Sequence, residues 1–260
     1  MKPVYTVSYR QDESLVPMNL FKIDKRTNAE MITSVIAKRT SANSLDLTTS
    51  AGVACTASNI LGNDDEELRV TANKVKDGYH CVMRIQRKAT ISLTLDKLGF
   101  AEPVITDLEK VTRKKSGLTL ITGAIRTGKN TTVFALANEM IKQPIKLMSY
   151  ESPIEVLMPF TQLDYQNDEE SLLNAIRLAK KQDINVALLN ELPNKEVAFA
   201  VRDLINSSIA VITTMHMDRI WNLPYKLREF YGEQYKDIIS QINAVFNQKM
   251  FRVCCPHCRK

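Results

Sequence analysis

The sequence predicts an α/β protein: a mostly parallel sheet covered by helices over residues 104–260, preceded by a smaller α+β domain over residues 1–103. From about Val104, short aliphatic runs alternate with helical stretches, the pattern of βαβ units whose strands are buried on both faces. Before residue 103 the texture is mixed, with Ser- and Asn-rich stretches and a hairpin signal. Of 260 residues, 44% are apolar and 25% charged, which is ordinary for a globular chain with a buried core.

In the first domain, MITSVIAKR at 31–39 reads as a short amphipathic helix, with Met31, Val35 and Ile36 on one side. Residues 41–58 are rich in small polar residues and read as loop. Residues 68–70 and 79–85 read as strands, with Asp77-Gly78 as the turn signal between them. In the second domain, 108–114 is expected to sit in a helix, and helices are expected at 129–142, at 171–181 and at 196–205. Strands are expected at LTLIT (118–122), at 145–150, at NVALL (185–189) and at IAVITT (209–214). Ligands of such sheets bind beyond the carboxyl ends of the strands, so the residues that follow each strand are the candidates for chemistry.

Lys and Arg number 35 and Asp and Glu 29, a net charge of +6. A mildly basic surface suits nucleotide, nucleic acid or an anionic membrane face without selecting among them. No Arg-rich stripe or aromatic-interleaved patch stands out and Trp221 is the single tryptophan, so a nucleic-acid partner is not expected. No apolar run approaches the ~20 residues of a membrane span, and the N-terminus lacks the apolar core of a secretory signal. The expectation is a cytoplasmic protein that reaches a membrane only through a partner. The five cysteines are Cys55, Cys81 and a C-terminal group of Cys254, Cys255 and Cys258; an odd count without a signal segment argues against a disulfide framework.

After LTLIT comes Gly123-Ala124-Ile125-Arg126-Thr127-Gly128-Lys129-Asn130-Thr131-Thr132. This is a G-x-x-x-x-G-K phosphate loop between a strand and a helix. Its glycines let the backbone curl N–H groups toward phosphate oxygens, and the following helix adds its positive end. Lys129 is placed to reach the β- and γ-phosphates. Gly123, Thr127, Gly128, Lys129, Asn130 and Thr131 form the expected nucleotide-binding set. Asn130 stands where a Ser or Thr hydroxyl usually meets Mg²⁺; its carbonyl oxygen can also ligate a hard cation, from a longer side chain.

GLTLITGAIRTGKNTTVFALANEM resembles the Walker A region of the ATPases of type II secretion and type IV pilus assembly, which usually carry G-P-T-G-S-G-K-T-T-T there. Downstream, Tyr150-Glu151-Ser152-Pro153-Ile154-Glu155 resembles the family's acidic box, and Leu189-Asn190-Glu191 the end of its Walker B strand. Residues 207–216, ending in His216, resemble its histidine box, and residues 247–258 its Q-R-L-V-R-x-L-C-P-x-C stretch. The motifs keep the family's order over about residues 90–260. Upstream, residues 68–71 and 82–85 are similar to its D-x-R-V-S and V-L-R-I segments, with Arg69 and Arg84 in place. The resemblance implies a RecA-like P-loop NTPase fold.

It also implies roles. Glu151 would polarise the attacking water or bind the metal through it, Glu191 would sit near Mg²⁺, and His216 would sense the γ-phosphate. Arg69 and Arg84 would reach the triphosphate from the N-terminal domain, of the same or a neighbouring subunit. Mg²⁺ would be held by Asn130 and Glu191. Cys255 and Cys258 form half of a Zn²⁺ site; the family's second C-x-x-C is missing before Lys260, which reads as a truncated member. Arg126, Asn130, Ser152, Pro193, Asn194 and Ser208 depart from the family pattern, Ser208 being read at the position of a second family histidine.

The function implied is a motor ATPase hydrolysing MgATP to drive assembly of pilin-like subunits. It would act as a homo-oligomer, a hexameric ring, on an inner-membrane platform protein, at the cytoplasmic face of that membrane. The departures leave open a regulatory or hydrolysis-deficient relative that still binds nucleotide.

Overall fold

A computed structural model of the chain describes residues 8–11, 14–17, 53–58, 66–75, 78–87, 94–166 and 168–251. The expected helix at 31–39 and the cysteines at 254–258 lie outside the described residues. Two compact units are separated between Ala89 and Thr90. The division falls ahead of the change of texture near residue 103 because a 3-10 turn at Leu95–Leu98 already buries Leu95 in the core of the second unit.

In the first unit, β1 (Ser8–Gln11) and β2 (Ser14–Pro17) pair antiparallel. Three further strands, β3 (Val53–Ser58), β4 (Glu66–Val75) and β5 (Gly78–Arg87), form an antiparallel sheet in that order. Val75 pairs with Gly78 to close the β4–β5 hairpin; Asp77 lies outside the described residues. The loop expected over 41–58 is corrected at its end, where 53–58 is strand β3. The small residues of VACTAS give little apolar periodicity, and pairing with β4 decides the conformation.

The second unit is a six-stranded sheet. Its strands are β6 (Gly117–Gly123), β7 (Leu147–Glu151), β8 (Thr161–Asp164), β9 (Val186–Leu189), β10 (Ala210–His216) and β11 (Ile242–Asn247). They lie in the order β11-β6-β10-β9-β7-β8, and every pairing is parallel. Six helices cover it: α1 (Glu102–Thr112), α2 (Lys129–Met140), α3 (Glu169–Ala179), α4 (Lys195–Asn206), α5 (Leu223–Tyr231) and α6 (Tyr235–Ser240). Pro103 in the first turn of α1 removes an N–H that would have no helical partner there. Asp168 caps α3, and Asn194 caps α4 by accepting from Val197 N at 2.9 Å.

Side chains alternate across the sheet. Leu118, Leu120, Met148, Tyr150, Ala187, Leu189, Val211 and Met215 face the core under α3 to α6. Ile121, Leu147, Val186, Leu188, Ala210 and Ile212 face the core under α1 and α2. The period of two therefore sends Glu151, four residues after Leu147, and His216, four after Ile212, to the α2 side. Both end their strands at the carboxyl edge, where α2 begins.

Candidate nucleotide site

The phosphate loop runs from the end of β6 to the start of α2. It curls through three residues of positive φ: Gly123 (153°), Arg126 (65°) and Gly128 (79°). Glycine adopts such values freely; Arg126 holds its own at a cost of roughly 1–2 kcal/mol. Thr127 Oγ1 donates to Ala124 O at 2.9 Å and pins the bend. No side chain caps α2, so its first-turn N–H groups remain open toward the loop, the arrangement that receives a phosphate.

Lys129 is the first residue of α2 and is buried. Its Nζ donates to Gly123 O at 3.1 Å and Ala124 O at 2.8 Å, and lies 3.1 Å from His216 Nδ1. An ammonium can only donate, so Nδ1 presents its lone pair and the ring proton sits on Nε2. Nε2 faces Glu191 Oε2 at 3.7 Å, both side chains being about half exposed. Burial pushes the Lys129 pKa down, opposed by the negative charge of Glu191. Lys129, His216 and Glu191 thus converge from the ends of β6, β10 and β9. Asn130 is half-buried, Thr131 is exposed and Thr132 is buried.

Glu151 is 1% exposed. Its Oε1 accepts from Ser149 Oγ at 2.6 Å and Gln162 Nε2 at 2.8 Å, while Oε2 is buried without a hydrogen-bond partner. Burial pushes this carboxyl above its usual range, against the two hydrogen bonds, with Glu155 and Asp164 adding to the rise. Gln162 also donates to Val156 O at 2.9 Å and accepts from Met158 N at 2.8 Å, so it ties the β7–β8 connection to Glu151. Sequence reasoning missed both partners. Ser149 carried a signal, since two residues along a strand share a face; Gln162 on the edge strand carried none.

Arg69 and Arg84 sit opposite one another on β4 and β5. Ser208 stands far from the phosphate loop within its own unit. It follows α4 at φ 62°, where Ser208 N donates to Ile205 O and Ile209 N to Leu204 O, a helix-ending Schellman turn. It therefore precedes β10 at the amino edge of the sheet, about 20 Å from the carboxyl edge at ~3.3 Å per residue.

Beside the loop, an apolar cavity of about 480 Å³ lies between α1 and β11, with Phe100, Val104, Leu108, Phe246 and Phe251 in its walls and Thr132 and Gln248 at its loop side. Among the described residues, no group of three or more His, Cys, Asp or Glu side chains is arranged to hold a metal ion, and no helix is long and apolar enough to cross a membrane.

The sequence model of the family described as Type II/IV secretion system protein matches residues 4–260. The Type IV pilus assembly ATPase PilB of Thermus thermophilus is 26% identical over 200 residues, 76% of this chain and 22% of that protein. The Type II secretion system protein E of Klebsiella pneumoniae is 26% identical over 204 residues, 77% of this chain and 40% of that protein. The matched chain thus spans less than half the length of these relatives. The pilus retraction motor PilT with bound ADP has the same fold, at a TM-score of 0.73 and 18% identity over 93% of this chain and 71% of that one. So does the Legionella pneumophila ATPase DotB, at 0.71 and 19% over 91% and 67%. A phosphate loop on an all-parallel sheet, a matching family model and these relatives agree, and the chain belongs to the type II/IV secretion system protein family.

Proposed function

We propose that this chain binds MgATP at the phosphate loop and hydrolyses it as part of a motor that drives assembly of pilin-like subunits. The observation that carries the reading is Lys129, buried at the centre of the loop with its ammonium directed at loop carbonyls and His216. A triphosphate offers that ammonium stronger, charged acceptors. The β- and γ-phosphates would lie over the open N-terminus of α2, and the apolar cavity beside Thr132 has the character for the base and ribose.

Carboxylate and amide oxygens are the donors Mg²⁺ prefers. The half-buried Asn130 and the half-exposed Glu191 supply them, and the unpartnered Oε2 of Glu151 lies on the same side of the sheet. Asn130 and Glu191 would hold the ion, which would neutralise charge on the phosphates. Glu151 is the proton acceptor: Ser149 and Gln162 fix one oxygen, and the second is free to take a proton from water. His216 is positioned to turn its Nε2–H from Glu191 toward a phosphate oxygen. By resemblance to the family, Arg69 and Arg84, paired in register on β4 and β5, would supply cations for charge developing in the transition state. A hexameric ring acting on an inner-membrane platform protein, at the cytoplasmic face, completes the proposal by resemblance. Zn²⁺ at Cys255 and Cys258 remains part of that resemblance.

The test is ATP binding and steady-state hydrolysis with Mg²⁺, beside Lys129→Ala. Turnover that vanishes in the variant supports the motor. Binding without turnover above the variant selects the hydrolysis-deficient alternative. Failure of the wild-type chain to bind ATP overturns both.

A further inference from the structure

The phosphate loop is gripped from outside its own motif. Gln248 directly follows β11, and its backbone N–H donates to Thr122 O at 2.8 Å, continuing the pairing with β6 beyond the strand's end. Its side chain then reaches under the loop. Nε2 donates to Thr127 O at 2.6 Å, and Oε1 accepts from Thr132 Oγ1 at 2.8 Å. These partners fix which end of the amide is which, because a carbonyl can only accept. The preceding Asn247 adds bonds from Nδ2 to Thr122 Oγ1 at 3.0 Å and Met217 O at 3.2 Å.

The contact is close enough to exclude a side chain at Gly123 and to crowd one at Gly128, whose positive φ already favours glycine. A Cβ on Gly123 would stand 2.4 Å from Gln248 O, and one on Gly128 would stand 3.1 Å from Gln248 Nε2. At Gly123, where the neighbour is backbone, the loop leaves no room for a side chain against Gln248.

We propose that Gln248 is a positioning residue that presets the phosphate loop for its anion. In a trans peptide the C=O and the N–H point in opposite directions. Holding Thr127 C=O on the β11 side therefore turns Gly128 N–H toward the opposite, phosphate-receiving side. The bond from Thr132 fixes the first turn of α2 at the same time, so the loop amides and the helix end keep one relative orientation. This rests on the proposed nucleotide reading for its consequence in binding, and on geometry alone for its effect on the loop.

The experiment compares wild type, Gln248→Ala and Gln248→Glu as full chains. The Glu variant keeps the size and the acceptor for Thr132 but sets a carboxylate against Thr127 O. In nucleotide-free ¹⁵N–¹H spectra, Gly128 and Lys129 resonances should shift in both variants while those of Val186 to Leu189 stay in place. ATP dissociation constants should rise at least tenfold in the Ala variant and further in the Glu variant. Unmoved loop resonances, or unmoved ATP affinity in both variants, overturn the proposal. If wild type binds no ATP yet the loop resonances shift, the positioning of the loop stands and the nucleotide reading alone fails.

Discussion

Replacing Glu151 with Gln separates chemistry from folding at this site. The substitution keeps the side chain's shape and retains an oxygen to accept from Ser149 Oγ and Gln162 Nε2, now at 2.6 and 2.8 Å. It removes the proton acceptor, and general bases contribute about 10²- to 10⁴-fold in rate. Turnover of ATP should fall within that range, with ATP affinity within about threefold of wild type, since the proposed phosphate contacts come from the loop and Lys129. Stability should move the other way with pH. Burial raises the Glu151 pKa above its ordinary value of 4.5. Above that value the folded wild type holds a proton that the unfolded chain has lost, so its stability falls as pH rises through the raised pKa. The variant has no such group. Its melting temperature, measured against wild type from pH 4 to 9, should gain as pH rises and then level off. A melting difference independent of pH, or turnover within a factor of about three of wild type, would refute the assignment of a buried, proton-accepting carboxylate.

Lys129→Ala should weaken ATP binding by roughly 10- to 150-fold, the range for losing hydrogen bonds of about 1.5–3 kcal/mol to a charged group; calorimetry measures it, and an unchanged affinity counts against the loop. Arg126→Gly should stabilise the fold by about 0.5–1 kcal/mol, since relief of the left-handed backbone outweighs the added chain entropy; a lower midpoint in denaturant contradicts this. Asn130→Thr returns a hydroxyl to the expected Mg²⁺ position, and a displacement of about 1 Å at a reacting centre costs up to about 10²-fold. Turnover should therefore rise by about 10- to 100-fold, and no change would show that Asn130 already places the ion well.

The sheet and the loop were legible because their signals are local. LTLIT and IAVITT are buried on both faces, and G-x-x-x-x-G-K sits between a strand and a helix. The two edge strands were not. β8 is half exposed, and Ile242 to Phe246 in β11 are only partly buried, so neither shows a clean apolar run. The helix around Leu108 was legible but its start was not, because Pro103 rather than apolar spacing sets the first turn of α1 at Glu102. The grip of Gln248 on the loop depends on β11 lying beside β6, a neighbour more than a hundred residues away in sequence, and no local pattern records that pairing.

The departures from the family pattern have separate physical consequences, and the structure sorts them. Ser208 serves a helix-ending turn at the far edge of the sheet, so within this unit it has no bearing on phosphate chemistry. Asn194 caps α4, a task its side chain performs as well as an aspartate would. Arg126 strains the loop but is exposed, and the curl that a glycine would give is kept at an energetic cost. Asn130 is the departure placed beside Lys129 at the mouth of α2, where, on the proposed reading, the length of a side chain would set the position of an ion. The case for impaired hydrolysis therefore does not rest on Ser208, Asn194 or Arg126. It rests on the reach of the Asn130 amide oxygen and on Ser152, an uncharged residue directly after Glu151, while Lys129, Glu151, Glu191 and His216 all stand at the carboxyl edge of the sheet.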